Sequence, residues 1–339
     1  MQMNSLRRKL AIATWNPPKE GNIYGKLTLD VTEALAYIKY KRKTSANKIT
    51  ITTLVGKAVA VALTKAPGLN GRIRFGSFIP HPWVNITFLV ALEGGSDLAT
   101  VVVKDADQKS IDDIAGDLRA GAMKLHKGED KDFNSTKGLI KLIPSFMLGY
   151  ILSIVGYLTS VLGLGGGGLK PFPAGSAIIT NVGVFGLDEG FAPPTPFLHV
   201  PLYVLMGAVK DSPLVVDGEI KIRQTLTVTA TIDHRFMDGA QGGALAKTMR
   251  KLIETPWSLD GLEGRPDDYD AVVAAEDAPQ KAEEPAKDPV PAPESTGDAA
   301  AGGAEPAKTA EATGGEEPAK VSEPAPADEP AKTDAPVAK

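Results

Sequence analysis

Thr225-Leu-Thr-Val-Thr-Ala-Thr-Ile-Asp-His-Arg-Phe-Met-Asp-Gly-Ala240 is the stretch on which the fold turns. Leu226, Val228, Ala230 and Ile232 alternate with threonines, the period-two pattern of a strand with one apolar face, so His234 stands where a strand stops. Asp238-Gly239 reads as a helix start. A short acceptor side chain there caps free backbone N–H groups before Leu245, Met249, Leu252 and Ile253 continue at helical spacing. A histidine at a strand-to-helix corner is placed for proton transfer, because its ordinary pKa lies near neutral; the competing reading is a purely structural strand-end residue. Four histidines and no cysteine supply no third cluster beside His234 and Asp238, so no metal is expected.

Outward from this corner the chain alternates strands and helices. Ile23–Val31 reads as a strand, and Thr32 as the cap of a short helix through Ile38. Thr52 or Thr53 starts a helix with Leu54, Val55, Ala58, Val59, Ala62 and Leu63 on one face, stopped by Pro67-Gly68. Asn70, just past that stop, could bind a ligand but reads first as turn chemistry, and His81, between prolines, as a loop residue. Val84–Leu92 and Leu98–Val103 form a strand pair, and Ser110-Ile-Asp-Asp113 opens a helix running to Gly128 with His126 in its last turn. Tyr203–Val209 is a further strand, and Val216-Asp-Gly-Glu219 a turn leading into the quoted one.

Asp-His-Arg-Phe-Met-Asp-Gly-Ala resembles the His-x-x-x-Asp-Gly signature of the dihydrolipoyl acyltransferase catalytic domains of 2-oxo acid dehydrogenase complexes, which share a fold with chloramphenicol acetyltransferase. Arg7-Arg-Lys-Leu-Ala11, Pro67-Gly-Leu-Asn70 and Gly175-Ser-Ala-Ile-Ile-Thr-Asn-Val-Gly-Val-Phe-Gly186 add to the resemblance in the same order, over residues 5 to 257. It implies an α+β fold, a mixed β-sheet with flanking helices. By the same resemblance His234 is the general base, Thr180 donates to an oxyanion, and Asp238 orders the corner through an arginine, Arg7 or Arg8. Asn181, Gly239, Arg7 and Arg8 are the candidates for binding substrate. A solvated basic start is the alternative for at least one of the two arginines.

The implied reaction moves an acyl group between coenzyme A, as substrate, and a thiol such as dihydrolipoamide. The family forms trimers with the site at the subunit boundary, so a homotrimer is expected. The stretch before residue 5 is too short for a lipoyl or subunit-binding domain, so the expectation is that a lipoyl group is supplied by another chain, a lipoyl-domain protein or other 2-oxo acid dehydrogenase component, or that the donor is a free acyl-CoA. The other readings are acyl transfer to a small hydroxyl or amine acceptor, and a non-catalytic oligomeric scaffold.

Two stretches depart from the resemblance. Leu142–Leu164 is charge-free and inside a modular apolar helical insert, about 138–168, bounded by Pro144 and the Gly165–Gly168 run. Gly149, Ser153, Gly156, Ser160 and Gly163 form a narrow small-residue seam. A membrane span here would put two halves of one sheet on opposite sides of a bilayer. The expectation is therefore a helical cap beside the active-site entrance, with membrane association through 142–164 as the open alternative. The other departure is the end of the chain: the domain is expected over 1–260 and a disordered Ala/Pro-rich tail over 261–339.

From Ala271 to Lys339 there are 15 acidic and 6 basic residues, and Glu-Pro-Ala-Lys recurs at 284, 305, 317 and 329. Such a segment cannot bury enough apolar surface to fold. The whole chain carries −4, so the first 270 residues carry +5 against the tail's −9. That mild positive charge suits an anionic ligand such as coenzyme A and gives no case for nucleic acid. Zero cysteines exclude disulfides and a thiol nucleophile. Met1–Leu10 has no apolar core of signal-peptide length, and a cytoplasmic location is expected.

Overall fold

Alternation of apolar and polar side chains builds a six-stranded mixed sheet. In a computed structural model that describes residues 21–92, 97–126, 143–165 and 174–269, its strands are β1 (Asn22–Asp30), β4 (Ile86–Leu92), β5 (Asp97–Val103), β6 (Ala177–Asn181), β7 (Leu202–Val216) and β8 (Glu219–Asp233), while β2 (Gly71–Arg74) and β3 (Ser77–Pro80) form a separate hairpin. The order is β1-β8-β7-β6-β4-β5; β6 runs parallel to β4 and β7, and the remaining pairs are antiparallel. β7 and β8 are each 15 residues long, joined by the expected turn at Asp217 and Gly218, both with positive φ. Each strand of the β2–β3 hairpin is four residues long, too short for alternation to signal it.

One face of the sheet is buried under helices α1 (Thr32–Thr44), α2 (Ile51–Lys65), α3 (Ile111–His126) and α5 (Gly239–Glu254). Caps fix where they start, two of them differently from the sequence expectation. Thr50 and Thr53 form a reciprocal capping box, so α2 begins at Ile51 and not at Thr52 or Thr53. Asp30, the last residue of β1 and two positions earlier, accepts from the Thr32 N–H at 2.9 Å; Thr32 is not the cap, and α1 runs past Ile38 to Thr44. Ser110 and Asp113 cap α3 reciprocally, as expected. The core beneath includes Leu54, Val55, Leu63, Phe88, Val204, Leu226 and Ile253. A Cβ on Gly56 would stand 2.7 Å from Phe88 Cε1 and closer still to Cζ, so this glycine lets α2 lie close on the sheet.

The packed chain continues beyond residue 260. Trp257 sits edge-on to Tyr37 and Tyr269, Tyr37 donates to Asp260 at 2.8 Å, Tyr40 donates to Asp268 at 2.9 Å, and Tyr269 is buried. Residues 270–339 lie outside the described residues.

The insert contributes α4 (Ser145–Gly156), followed by a π-helical turn at Tyr157–Val161. It packs on the 3₁₀ turn Pro196–Leu198, three residues before β7: a Cβ on Gly156 would lie 2.7 Å from Phe197 Cβ. Asp233 N–H, at the end of β8, donates to Pro201 at 2.9 Å. The insert thus sits at the end of the sheet that carries His234. Among the described residues no helix is long and apolar enough to cross a membrane.

Candidate active site

β8 delivers the corner. Asp233, its last residue, accepts the Arg235 backbone N–H at 3.0 Å and forks the Arg235 guanidinium, with Nε–Oδ1 at 3.0 Å and Nη2–Oδ2 at 2.5 Å. His234 N–H donates to Gly21 at 3.1 Å. These bonds fix the backbone from which the imidazole projects. His234 Nδ1 lies 2.8 Å from the Met237 carbonyl oxygen. A carbonyl only accepts, so Nδ1 carries the proton and, in the neutral ring, Nε2 holds the lone pair. The ring is exposed on the surface of the single chain.

Asp238 caps α5, accepting the Gln241 N–H at 2.9 Å. Gly239 follows as the first helical residue, and a Cβ there would meet nothing within 4 Å. Packing among the described residues therefore gives no reason for glycine at this position. Arg7 and Arg8 lie outside the described residues.

Three of the quoted stretches converge on this corner. Gly68, in the 3₁₀ turn that ends α2, approaches the corner so closely that a Cβ would lie 2.7 Å from the Phe236 carbonyl oxygen. Asn70 donates through Nδ2 to the Trp83 carbonyl at 3.1 Å and the His81 carbonyl at 3.4 Å, and its Oδ1 accepts from Ser176 Oγ at 2.5 Å. Asn70 is therefore more than turn chemistry: it ties the end of α2, the loop at 81–83 and the approach to β6 together. His81 stacks on Trp83 at 4.1 Å. Burial, and secondarily the Arg72 charge, push its pKa down to about 4. The role of Ser176 is not visible to local pattern reading, since its partner is 106 residues away.

Thr180 sits on β6, half-buried. Strand alternation puts it on the face of Ile178, which packs with Tyr203 and Val200 on the side of the sheet away from the helices. Register places it far from His234 in the same chain. Thr180 is level with Leu205, and Leu205 with Thr229. His234 is five residues further along and two strands across, about 16 Å by about 10 Å, or roughly 19 Å in all. One chain does not bring the two side chains together. Asn181 is engaged at both ends of its amide, donating to Thr52 Oγ1 at 3.0 Å and accepting the Gly183 N–H at 2.9 Å, so it anchors the strand end to α2. Among the described residues no group of three or more His, Cys, Asp or Glu is arranged to hold a metal.

Comparison with known proteins follows the same residues. The profile of the 2-oxoacid dehydrogenases acyltransferase (catalytic domain) family matches residues 20–141 and 169–260, which leaves 142–168 unmatched. A dihydrolipoyllysine-residue acetyltransferase component of the acetoin cleaving system of Bacillus subtilis is 29% identical over 62% of this chain and 43% of that protein. The mitochondrial dihydrolipoyllysine-residue succinyltransferase component of the 2-oxoglutarate dehydrogenase complex of Saccharomyces cerevisiae is 28% identical over 63% of this chain and 37% of that one. The chain thus matches less than half the length of these relatives. In fold it is similar to the structure of a probable dihydrolipoamide acetyltransferase from Listeria monocytogenes, with a TM-score of 0.54 at 20% identity, covering 75% of this chain and 93% of that one.

Proposed function

Because the chain belongs to the 2-oxoacid dehydrogenase acyltransferase catalytic-domain family, we propose that it is a coenzyme A-dependent acyltransferase that moves an acyl group between coenzyme A and a thiol acceptor such as dihydrolipoamide. The observation that carries this reading is the Nδ1 contact of His234 with the Met237 carbonyl, which reserves Nε2 as a base on an exposed ring. Nε2 takes the proton of the acceptor thiol. The thiolate attacks the thioester carbonyl of the acyl-CoA, forming a tetrahedral oxyanion that accepts a hydrogen bond from Thr180 Oγ. Collapse breaks the carbon–sulfur bond to coenzyme A, and the departing thiolate recovers the proton from the imidazolium. No metal is invoked; the lipoyl group, where it is the acceptor, arrives on a separate domain or chain.

The separation of roughly 19 Å derived from strand spacing supports a site shared between chains, His234 from one protomer and Thr180 from its neighbour. A homotrimer with three boundary sites satisfies this. Asp238 and Gly239 shape the corner from which the base projects, and Arg7 or Arg8 is assigned to brace Asp238.

Acyl-CoA turnover with free dihydrolipoamide, a lipoyl-domain protein and small alcohols separates thiol from hydroxyl transfer, and absence of turnover with all of them leaves only a scaffold. His234→Ala lowers kcat by about 10²–10⁴-fold, and Thr180→Val by about 10²–10³-fold. Mixing decides the boundary. In randomly mixed trimers of the two variants about a quarter of the boundaries pair an intact histidine with an intact threonine, so co-refolding restores about a quarter of wild-type activity. A site contained in one chain gives no restoration.

A further inference from the structure

The residues left unmatched by the family profile, 142–168, include α4, and α4 has two unlike faces. Leu148, Gly156, Ser160 and Val161 on α4 and the following turn are buried against the domain. The outward face presents Met147, Tyr150, Ile154 and Leu158 at spacings of three and four, with Tyr150 75% and Ile154 62% exposed. A helix anchored on one side and apolar on the other has an unsatisfied surface.

A second element, remote in sequence, extends the same surface. At the tip of the β2–β3 hairpin Phe75 is 74% exposed, and its ring lies 6.2 Å from that of Tyr157, whose hydroxyl accepts the Phe75 N–H at 3.4 Å. Phe75 has φ 48° and Gly76 φ 78°, a turn that asparagine-glycine would form at less cost than an aromatic residue. Neither burial nor turn geometry accounts for phenylalanine there. The Arg74 guanidinium stands 5.4 Å from the same ring.

We propose that this composite face, the outward side of α4 with Phe75 and Arg74, docks on the surface of a lipid bilayer. Charge selects this occupant over a protein. The sequence has no acidic residue from 133 to 187 and no charge of either sign from 142 to 169. A protein-binding patch carries a polar rim, whereas a helix that lies in the headgroup region is apolar on its buried side with cations at its border. Tyr150 suits the boundary between chain and headgroup, Phe75 inserts beside it, and Arg74 meets phosphate. The helix lies flat: α4 and its π turn together reach about 25 Å, short of the ~30 Å hydrocarbon core, and one side is already packed on the domain. The proposal does not rest on the acyl-transfer reading, and its test measures no catalysis.

The test is co-sedimentation of the full chain with phosphatidylcholine vesicles, with and without phosphatidylglycerol. The chain pellets with both, about fivefold more tightly with the anionic lipid, and alkaline carbonate releases it. Tyr150→Ser/Ile154→Ser weakens partition by about tenfold or more. Phe75→Asn, which suits the turn better than the native residue, weakens it with the fold retained. Arg74→Gln removes most of the preference for phosphatidylglycerol. Failure to bind vesicles, undiminished binding of both apolar variants, or a vesicle-independent change of oligomeric state in the double variant overturns the proposal. Retention through carbonate overturns the flat geometry.

Discussion

Replacing Asn70 by alanine tests whether the corner is held from a distance. The side chain makes three hydrogen bonds, two donated to the Trp83 and His81 carbonyls and one accepted from Ser176. At about 1 kcal/mol net each, and with Asn70 half-buried, the loss is about 2–3 kcal/mol, more than a surface substitution costs. Urea denaturation followed by fluorescence of the nearby Trp83 reports it as a lower midpoint at unchanged slope. A double-mutant cycle with Ser176→Ala isolates the Ser176–Asn70 bond, with a coupling of about 1 kcal/mol. Asn70→Asp keeps the acceptor for Ser176 but turns a negative oxygen toward two carbonyls, so it is at least as damaging as alanine. A loss under about 0.5 kcal/mol for Asn70→Ala, or additive behaviour in the cycle, refutes the idea that this asparagine ties the three segments together.

His81 predicts an acid-side loss of stability. Its pKa falls from 6.5 in the unfolded chain to about 4 in the fold, so below pH 6.5 the unfolded state takes up a proton that the folded state refuses. Stability is full above pH 6.5 and is lost progressively down to about pH 4, by about 1–2 kcal/mol after discounting for solvent screening of a partly exposed ring. His81→Gln flattens thermal midpoints across that window; an unchanged pH profile contradicts the assignment. Ending the chain after residue 260 removes the buried Tyr269, the Tyr40–Asp268 bond and the Arg265–Glu33 pair, costing about 2–3 kcal/mol, mostly from the aromatic ring. Ending it after residue 270 keeps all of them, and equal denaturation midpoints for the two truncations would show that the segment does not hold α1.

The sheet and helices were legible because each has a period of its own: threonine alternation announced β8, and the apolar stripe of α2 announced a helix. What sequence reading missed depends on partners far along the chain. Asn70 looks like a turn residue until Ser176 is seen beside it, and the hairpin of β2 and β3 gains its meaning only when Phe75 meets Tyr157 from the insert. Helix starts were misplaced by one to two residues for a related reason. Thr50, Thr52 and Thr53 are alike in composition, and only the reciprocal bond of Thr50 with Thr53 selects the cap. The tail's composition is acidic from Ala271 onward, but nothing local in residues 261–269 says that Tyr269 has an aromatic pocket waiting beside Trp257.

Three features idle within one chain support the same proposal of a shared site. The His234 ring is exposed although thioester chemistry gains from excluding water. Gly239 has open space among the described residues where a Cβ would stand, room that a substrate or a neighbouring protomer could use. Thr180 faces away from the helix layer, toward the side of the sheet that carries the small cluster of Ala174, Ile178, Val200 and Tyr203. A neighbouring protomer that lays this face against the His234 corner would shield the ring, occupy the space at Gly239 and supply the hydroxyl in one docking event. The tied segments around Asn70 and Gly68 then acquire a purpose that a single chain does not explain: a base that must meet a partner's hydroxyl within hydrogen-bond reach needs its corner fixed before assembly, because slack of an ångström there is lost rate.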